Sequence, residues 1–318
     1  FFAGCGLLIM SVGLVASQFV SLAKAERGKA FITTFYDSTH SLISALIRER
    51  AANSNYFVDT SAASLLAIRT AQNNTDIQLR DYASSVKSWL DQDQLARVNR
   101  YESNLPTLRK RYLETNEISA ATASVLLSKH VDALTGVMAA VSSSIGDEST
   151  MTTIQIFYIL RETFGRIRSF GSIALAQTPV NGTFYLAIYS NYTSFIAKRD
   201  NMLSIYLDTA SETNVNYYSN LVLNSTEYKT ATAFEKVILQ NPSNYPLLIN
   251  VTTYLNVYTT LYSLNTQALN TLMEKNINRL NTAYIVSVVI IVAVFVAFLV
   301  ILTCFCCSTL VFSQTIIG

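Results

Sequence analysis

Apolar residues recur along this chain at spacings of three and four rather than two, the period of a helix buried along one stripe and not of a strand. Breakers gather at a few places: "QNNTD" at 72–76, "ESNLP" at 102–106, "SSSIGDEST" at 142–150, "TPVNGT" at 178–183, "NSTE" at 224–227 and "NPSNYP" at 241–246. Ten Gly and four Pro in 318 residues leave little other punctuation. The pattern predicts an all-α fold of long helices, antiparallel because the turns are short, with roughly six or seven in the middle of the chain. The first helix is expected to run on to about residue 70, and the last to start near Leu247. The stripe Leu269, Met273, Ile277, Leu280 and Tyr284 keeps helical phase towards the C-terminus. Pro106, two residues after Asn104, suits a first helical turn, where its missing N–H costs little.

Charge changes the picture at both ends. The first charged side chain is Lys24 and the last is Arg279; outside them lie "FFAGCGLLIMSVGLVASQFVSLA" and "YIVSVVIIVAVFVAFLVILTCF". Each supplies the roughly 20 apolar residues that a helix needs to cross a bilayer; a cleaved signal peptide is the alternative reading of the first. The expected organisation is a transmembrane helix over 1–23, one helical bundle over 24–146, a second over 147–282, a second transmembrane helix over 283–307 and a juxtamembrane segment over 308–318. The middle segment is expected outside the cell as a two-pass ectodomain. It contains no cysteine and carries five sequons, at Asn73, Asn181, Asn191, Asn224 and Asn250, a number that a chain rich in Asn, Ser and Thr approaches by chance. Asn73 and Asn181 are expected in turns, where an acceptor is accessible. Cys304, Cys306 and Cys307, at the far end of the second span, are candidates for palmitoylation or plain apolar residues in lipid.

Two passages put arginine on an apolar stripe. In "LISALIRERAANSNYF", Ile43, Leu46, Ile47, Ser54 and Phe57 share a face with Arg50; in "TIQIFYILRETFGRIRSFGSIALAQ", Ile154, Phe157, Tyr158, Phe164, Gly165, Ser172 and Leu175 share one with Arg161 and Arg168. Arg50 and Arg168 have matching surroundings, a small residue next in sequence (Ala51, Ser169) and another four positions on (Ser54, Ser172). A buried charge needs a partner, and a flat guanidinium fork suits planar oxyanions. The partner is either an internal carboxylate such as Glu49, Glu162 or Asp59, or an external anion such as nitrate, nitrite, bicarbonate or a small carboxylate.

Three motifs resemble the NIT domain, a nitrate- and nitrite-sensing module of membrane receptors. Its L-x-x-E-R-G stands here as Leu46-Ile47-Arg48-Glu49-Arg50-Ala51, its L-P-x-L-R as Leu105-Pro106-Thr107-Leu108-Arg109, and its Gly followed by E-R-A or E-R-G as Gly165-Arg166-Ile167-Arg168-Ser169. Ala51 replaces a Gly, and Ile167 replaces a Glu, removing a charge beside Arg168. The resemblance implies two helical bundles, a dimer, and arginines that hold the anion: Arg50, Arg109 and Arg168, with Arg48, Arg161 and Arg166 second by proximity. It also implies a cytoplasmic effector such as a histidine kinase, a chemoreceptor or a guanylyl cyclase. The alternative is a structural or assembly subunit of a glycosylated membrane complex, its arginines paired internally.

Other chemistry is excluded more simply. His40 and His130 lack neighbours at metal-ligand spacing apart from a weak case for His40 with Asp37, and His130 reads as an ordinary, partly exposed helix residue. No P-loop, G-x-S-x-G or Rossmann glycine pattern is present, so neither catalysis nor a cofactor is expected. The basic run "RVNRYESNLPTLRKRY" reads as a solvated face; a net charge of +2 does not fit nucleic-acid binding. The expected partners are a small anion, the lipid bilayer and a second copy of the chain.

Overall fold

The computed structural model describes residues 2–143, 148–176, 183–240 and 249–317, and the side chains of 12–141, 153–176, 188–240 and 249–304. Among the described residues there is no strand: the fold is all-α. The helices are α1 (Phe2–Ala30), α2 (Asp37–Val58), α3 (Ala62–Val86), α4 (Gln92–Leu113), α5 (Ala120–Ser143), α6 (Glu148–Ala176), α7 (Thr183–Thr209), α8 (Glu212–Tyr218), α9 (Thr226–Gln240) and α10 (Val251–Ile317). The chain forms two compact units, Ile32–Glu274 and a smaller one made of Phe1–Phe31 with Lys275–Gly318.

In the larger unit α2 is central. It packs on α3, α5 and α6, while α6 also meets α5 and α7, and α4 lies on α5. The α5 segment Ala120–Val141 is apolar enough to span a membrane, but half of its most apolar window is buried; it is a core helix. Aromatic rings fill much of the rest. Phe157, Tyr206 and Tyr218 meet edge to face, and the Tyr218 hydroxyl donates to Asn265 Oδ1 at 2.8 Å, satisfying a phenol that burial would otherwise penalise. Gly171 is required by close approach: a Cβ there would lie 1.9 Å from the Tyr254 hydroxyl, which donates to the Ile167 carbonyl at 2.7 Å.

In the smaller unit the apolar residues face outward. Val12, Phe19, Ile285, Val289, Phe295 and Ile301 are exposed, and the α10 stretch up to Cys304 is strongly apolar and scarcely buried. α1 and α10 approach closely at Gly28, where a Cβ would meet Leu280 Cδ2 at 3.2 Å.

Several expectations about helix ends need correction. The first long helix does not reach residue 70. It passes through a π-helical stretch at Phe31–Tyr36 and α2 ends at Val58, because the Asp59 carboxylate accepts from the Ser61 N–H and from the Ser61 and Ser64 hydroxyls. Those local bonds compete with the next helical turn, and Ser61 then caps α3. "QNNTD" is not a turn but the middle of α3. Thr75 is buried with its hydroxyl bonded back to the Ala71 carbonyl at 3.0 Å, so this polar side chain is satisfied inside the helix. Likewise "ESNLP" lies within α4, and Pro106 is interior to it rather than in its first turn. Leu105 and Leu108 are buried while Glu102–Asn104 are exposed, so water can reach the carbonyl that Pro106 leaves without a donor. The true start of α4 is a capping box: Asp91 Oδ1 accepts from the Gln94 N–H at 2.8 Å and Gln94 Oε1 from the Asp91 N–H at 3.1 Å. The "NSTE" break is a turn. Residues 144–147, 177–182 and 241–248, which carry most of the remaining breakers and the expected start near Leu247, lie outside the described residues.

Candidate functional site

The arginines fall into two groups by what they touch. Arg50, on α2, is 1 % exposed and reaches α6, where its Nη1 and Nη2 donate to Glu162 Oε1 and Oε2 at 2.5 and 3.1 Å; Nη1 also donates to Ser128 Oγ of α5 at 2.8 Å. Arg166, one turn along α6, shares the same carboxylate at 2.7 Å and holds Asp132 of α5 through two bonds of 2.6 and 3.1 Å. Burial would raise the Glu162 carboxyl, but Arg50 and Arg166 outweigh it and hold it below its ordinary value. This chain of charges ties α2, α5 and α6 together. Gly165 makes it possible: a Cβ there would lie 2.8 Å from Arg50 Nη2.

Arg109 is also paired. Its Nε and Nη2 grip both oxygens of Glu49 at 2.8 and 2.9 Å, and Nη1 donates to Asp76 at 2.7 Å. Arg199 joins Glu235, which also accepts from the Tyr258 hydroxyl at 2.6 Å. Each of these guanidiniums is matched by acid within the fold.

Among the described residues, Arg161 and Arg168 have no carboxylate within ion-pair distance. Arg161 is fully buried, donates to the Tyr158 hydroxyl at 2.9 Å and lies 3.3 Å from His40 Nε2. Its guanidinium carbon sits 4.6 Å from the Tyr158 ring centre and 5.4 Å from that of Tyr262. Burial, then Arg161 and Arg48, press the His40 pKa down to about 3, so at neutral pH the ring is uncharged and accepts from Arg161. Arg168 is half-buried. Its Nε donates to Thr259 Oγ1 at 3.0 Å and Nη2 to Asn55 Oδ1 at 3.3 Å. Among the described residues it has no carboxylate within ion-pair distance, and burial lowers its pKa to about 10.

Beside Arg168 is a cleft of about 230 Å³, lined by Ile47, Arg48 and Ala51 of α2, Gly165, Arg168 and Ser169 of α6, and Thr259 and Tyr262 of α10. Small side chains at Ala51, Gly165 and Ser169 leave the space. Among the described residues, two cations border it and no acid does. Ser54 and Ser172 are elsewhere, buried and bonded to the Arg50 and Ser169 carbonyls at 3.0 and 2.9 Å. Arg50 and Arg168 therefore do not share a partner: one meets a carboxylate, the other a gap. Arg48 and Arg168 come together at the cleft, whereas Arg50 and Arg109 are placed against Glu162 and Glu49. Of the suggested internal acids, Asp59 pairs with neither and instead binds Ser61 and Ser64.

A family model described as nitrate and nitrite sensing, NIT, matches residues 41–283. The chain belongs to the NIT family. No curated protein matches it. A solved structure titled as that of the NasR transcription antiterminator has a similar fold, with a TM-score of 0.68 and 15% identity over 89% of this chain and 75% of that one. The NIT match takes in every arginine discussed above and the whole lining of the cleft. The residues missed in the sequence are Ser128, Asp132, Thr259 and Tyr262. Thr259 and Tyr262 are one turn apart on α10, and no local pattern marks them as facing Arg168.

The remaining nominated positions are scattered. Asn73 is exposed, but on α3 and not in a turn. Asn191 is half-buried on α7. Asn224 is exposed at a turn, and Asn250 is exposed before α10, its Oδ1 accepting from the Thr253 N–H at 3.0 Å. Asn181 lies outside the described residues. Cys304 is exposed; the side chains of Cys306 and Cys307 lie outside those described. His130 is buried, not partly exposed, with Nδ1 2.8 Å from the Leu126 carbonyl. Among the described residues no His, Cys, Asp or Glu cluster has the makings of a metal site.

Proposed function

We propose that this domain is a sensor for a small planar oxyanion, nitrate or nitrite, held in the cleft between α2, α6 and α10. The observation that carries the reading is Arg168: a half-buried guanidinium that, among the described residues, has no carboxylate partner and faces a cleft bordered by a second arginine and no acid. Nη1 of Arg168 makes no hydrogen bond among the described residues, so one edge of the fork is open to two oxygens of such an anion. Arg48 adds charge at the mouth. Arg50 and Arg109 act through their ion pairs, fixing the helices that shape the cleft. Binding replaces the hydration that burial took from Arg168, so ligand and stability are linked. An anion at 100 times its dissociation constant adds about 2.7 kcal/mol. The test is a melting shift of the whole chain with sodium nitrate or nitrite against sodium chloride at equal ionic strength, so that general screening cancels. Arg168→Lys keeps the charge but loses the fork and should weaken the shift. Equal melting in all three salts would overturn the proposal.

The wider reading is a two-pass receptor with an extracellular two-bundle domain, working as a dimer and signalling to a cytoplasmic effector. The outward-facing apolar residues of the smaller unit support a membrane location, and the unbroken course of α10 from Val251 to Ile317 supports its role as the transmitting element. Enzymatic deglycosylation of intact cells should increase mobility on a gel. If no sequon is occupied and surface protease spares residues 30–280, the topology is wrong.

A further inference from the structure

Tyr262 borders the cleft, and its hydroxyl makes no hydrogen bond among the described residues. Its ring is held by a cation: the buried Arg161 guanidinium carbon stands 5.4 Å from the ring centre, within cation–π range. One turn earlier on the same helix, Thr259 Oγ1 takes the Nε proton of Arg168 at 3.0 Å. Thr259, Tyr262 and Arg168 all border this one cleft.

We infer that the Tyr262 hydroxyl is the specificity-determining donor of the cleft, reading the third oxygen of a planar three-oxygen anion whose other two oxygens lie on the Arg168 fork. The inference rests on the anion-sensing reading of that cleft. Nitrate has an in-plane acceptor left over once the fork has taken two oxygens. Nitrite has no third oxygen, and chloride is one round centre that a directional phenol O–H does not select. A donor without a protein partner is also cheap to keep for a ligand: nothing inside the fold has to be broken before it binds. Arg161, buried and without an ion-paired carboxylate among the described residues, polarises the ring and strengthens the O–H as a donor. Ser169 borders the same space but brings no comparable support; its backbone carbonyl is the atom bonded, to Ser172.

The decisive comparison is the parent against Tyr262→Phe, as the full chain in lipid nanodiscs, with nitrate, nitrite and chloride titrated at constant ionic strength. Tyr262→Phe keeps the ring over Arg161 and removes only the unbonded oxygen, so melting without added anion should not change. Nitrate affinity should fall about tenfold, the size of one hydrogen bond to a charged group. Nitrite should fall by much less, so the preference for nitrate over nitrite collapses. If the variant binds nitrate within about twofold of the parent, or loses nitrate and nitrite alike together with ligand-free stability, Tyr262 is a wall and not a reader. If the parent itself responds to neither oxyanion, the sensing proposal fails first and this inference falls with it.

Discussion

Arg50 and Arg168 occupy matching sequence surroundings and end in opposite states. Both follow an apolar helical stripe, both precede a small residue, and both have a serine four positions on. Arg50 is buried against Glu162 and Ser128, with Arg166 and Asp132 extending the network. Arg168 meets two neutral oxygens and a cleft. The difference lies in what other helices bring. α5 supplies Ser128 beside Arg50, and Glu162 lies four residues before Arg166 on α6, where it reaches both guanidiniums. Opposite Arg168, α10 supplies Thr259 and Tyr262, which are polar but uncharged. A cation on an apolar face is thus a question about its neighbours. Under the proposed function the same residue type is a strut where an acid faces it and a receptor where none does.

The largest expected effect is on the strut. Arg50→Met leaves Glu162 buried with Arg166 alone, and unfolding in detergent should show a loss of about 3 kcal/mol, at the lower end for a broken buried pair because one partner remains. A loss below about 1 kcal/mol would mean that Arg50 is not structural. The pH dependence around His40 gives the next effect. Its folded pKa, about 3, lies below the ordinary value of 6.5, so between these values the unfolded chain binds a proton that the folded one refuses. Stability is complete above about 6.5 and falls as the pH drops, by about 1.4 kcal/mol per unit. From pH 6.5 to 5 the parent should lose about 2 kcal/mol more than His40→Gln. Parallel curves would show that Arg161 tolerates a charged neighbour.

The helical class was legible because the three-four spacing is local, and so was the wrong-face placement of the arginines. The motifs around Arg50, Arg109 and Arg168 were enough to suggest the family. Helix ends were harder. The capping box at Asp91 and the Asp59–Ser61 break are written in short-range polar spacing but were overshadowed by Asn-rich and Pro-containing stretches that the helices absorb. Thr75 shows why: a polar side chain bonded back to its own helix is no longer a breaker. The site was legible on one side only. Ser54 and Ser172, the small residues one turn on, are buried and bonded to carbonyls of their own helices, whereas Ala51 and Ser169, next in sequence to the arginines, border the cleft. The third wall comes from α10, about 90 residues from Arg168 in sequence, and no single-helix pattern shows which face of α10 meets it. The internal partners of Arg50 and Arg109 were undecided for the same reason, since each lies on another helix.

Gly165 lies between the two arginines, bordering the cleft and carrying the Arg50 guanidinium. Gly165→Ala gains about 1 kcal/mol of helix propensity, but its Cβ would stand 2.8 Å from Arg50 Nη2 and force the fork off Glu162. A net loss of about 1 kcal/mol is expected, within the usual range for overpacking. Combined with Arg50→Met, the same substitution should become stabilising, because the clash is gone and the propensity remains. Additive effects in this double-mutant cycle would separate Gly165 from the strut.

The smallest change in stability is expected at Arg168, and its sign is what matters. Removing one half of a buried pair strands the other, whereas removing a desolvated charge that has no partner relieves the fold. Burial already disfavours the charged form of Arg168, and its two hydrogen bonds go to neutral oxygens on Thr259 and Asn55. Arg168→Met, measured without added anion, should therefore leave stability unchanged or raise it by about 0.5 kcal/mol, since water still screens the half-buried charge, the reverse in sign of Arg50→Met. The same variant should show no melting shift with nitrate beyond that with chloride. A loss of 3 kcal/mol or more at Arg168 would reveal a hidden internal acid and make both arginines struts. A gain with an unchanged nitrate response would move the anion away from this cleft, and Arg48 would be the next position to test.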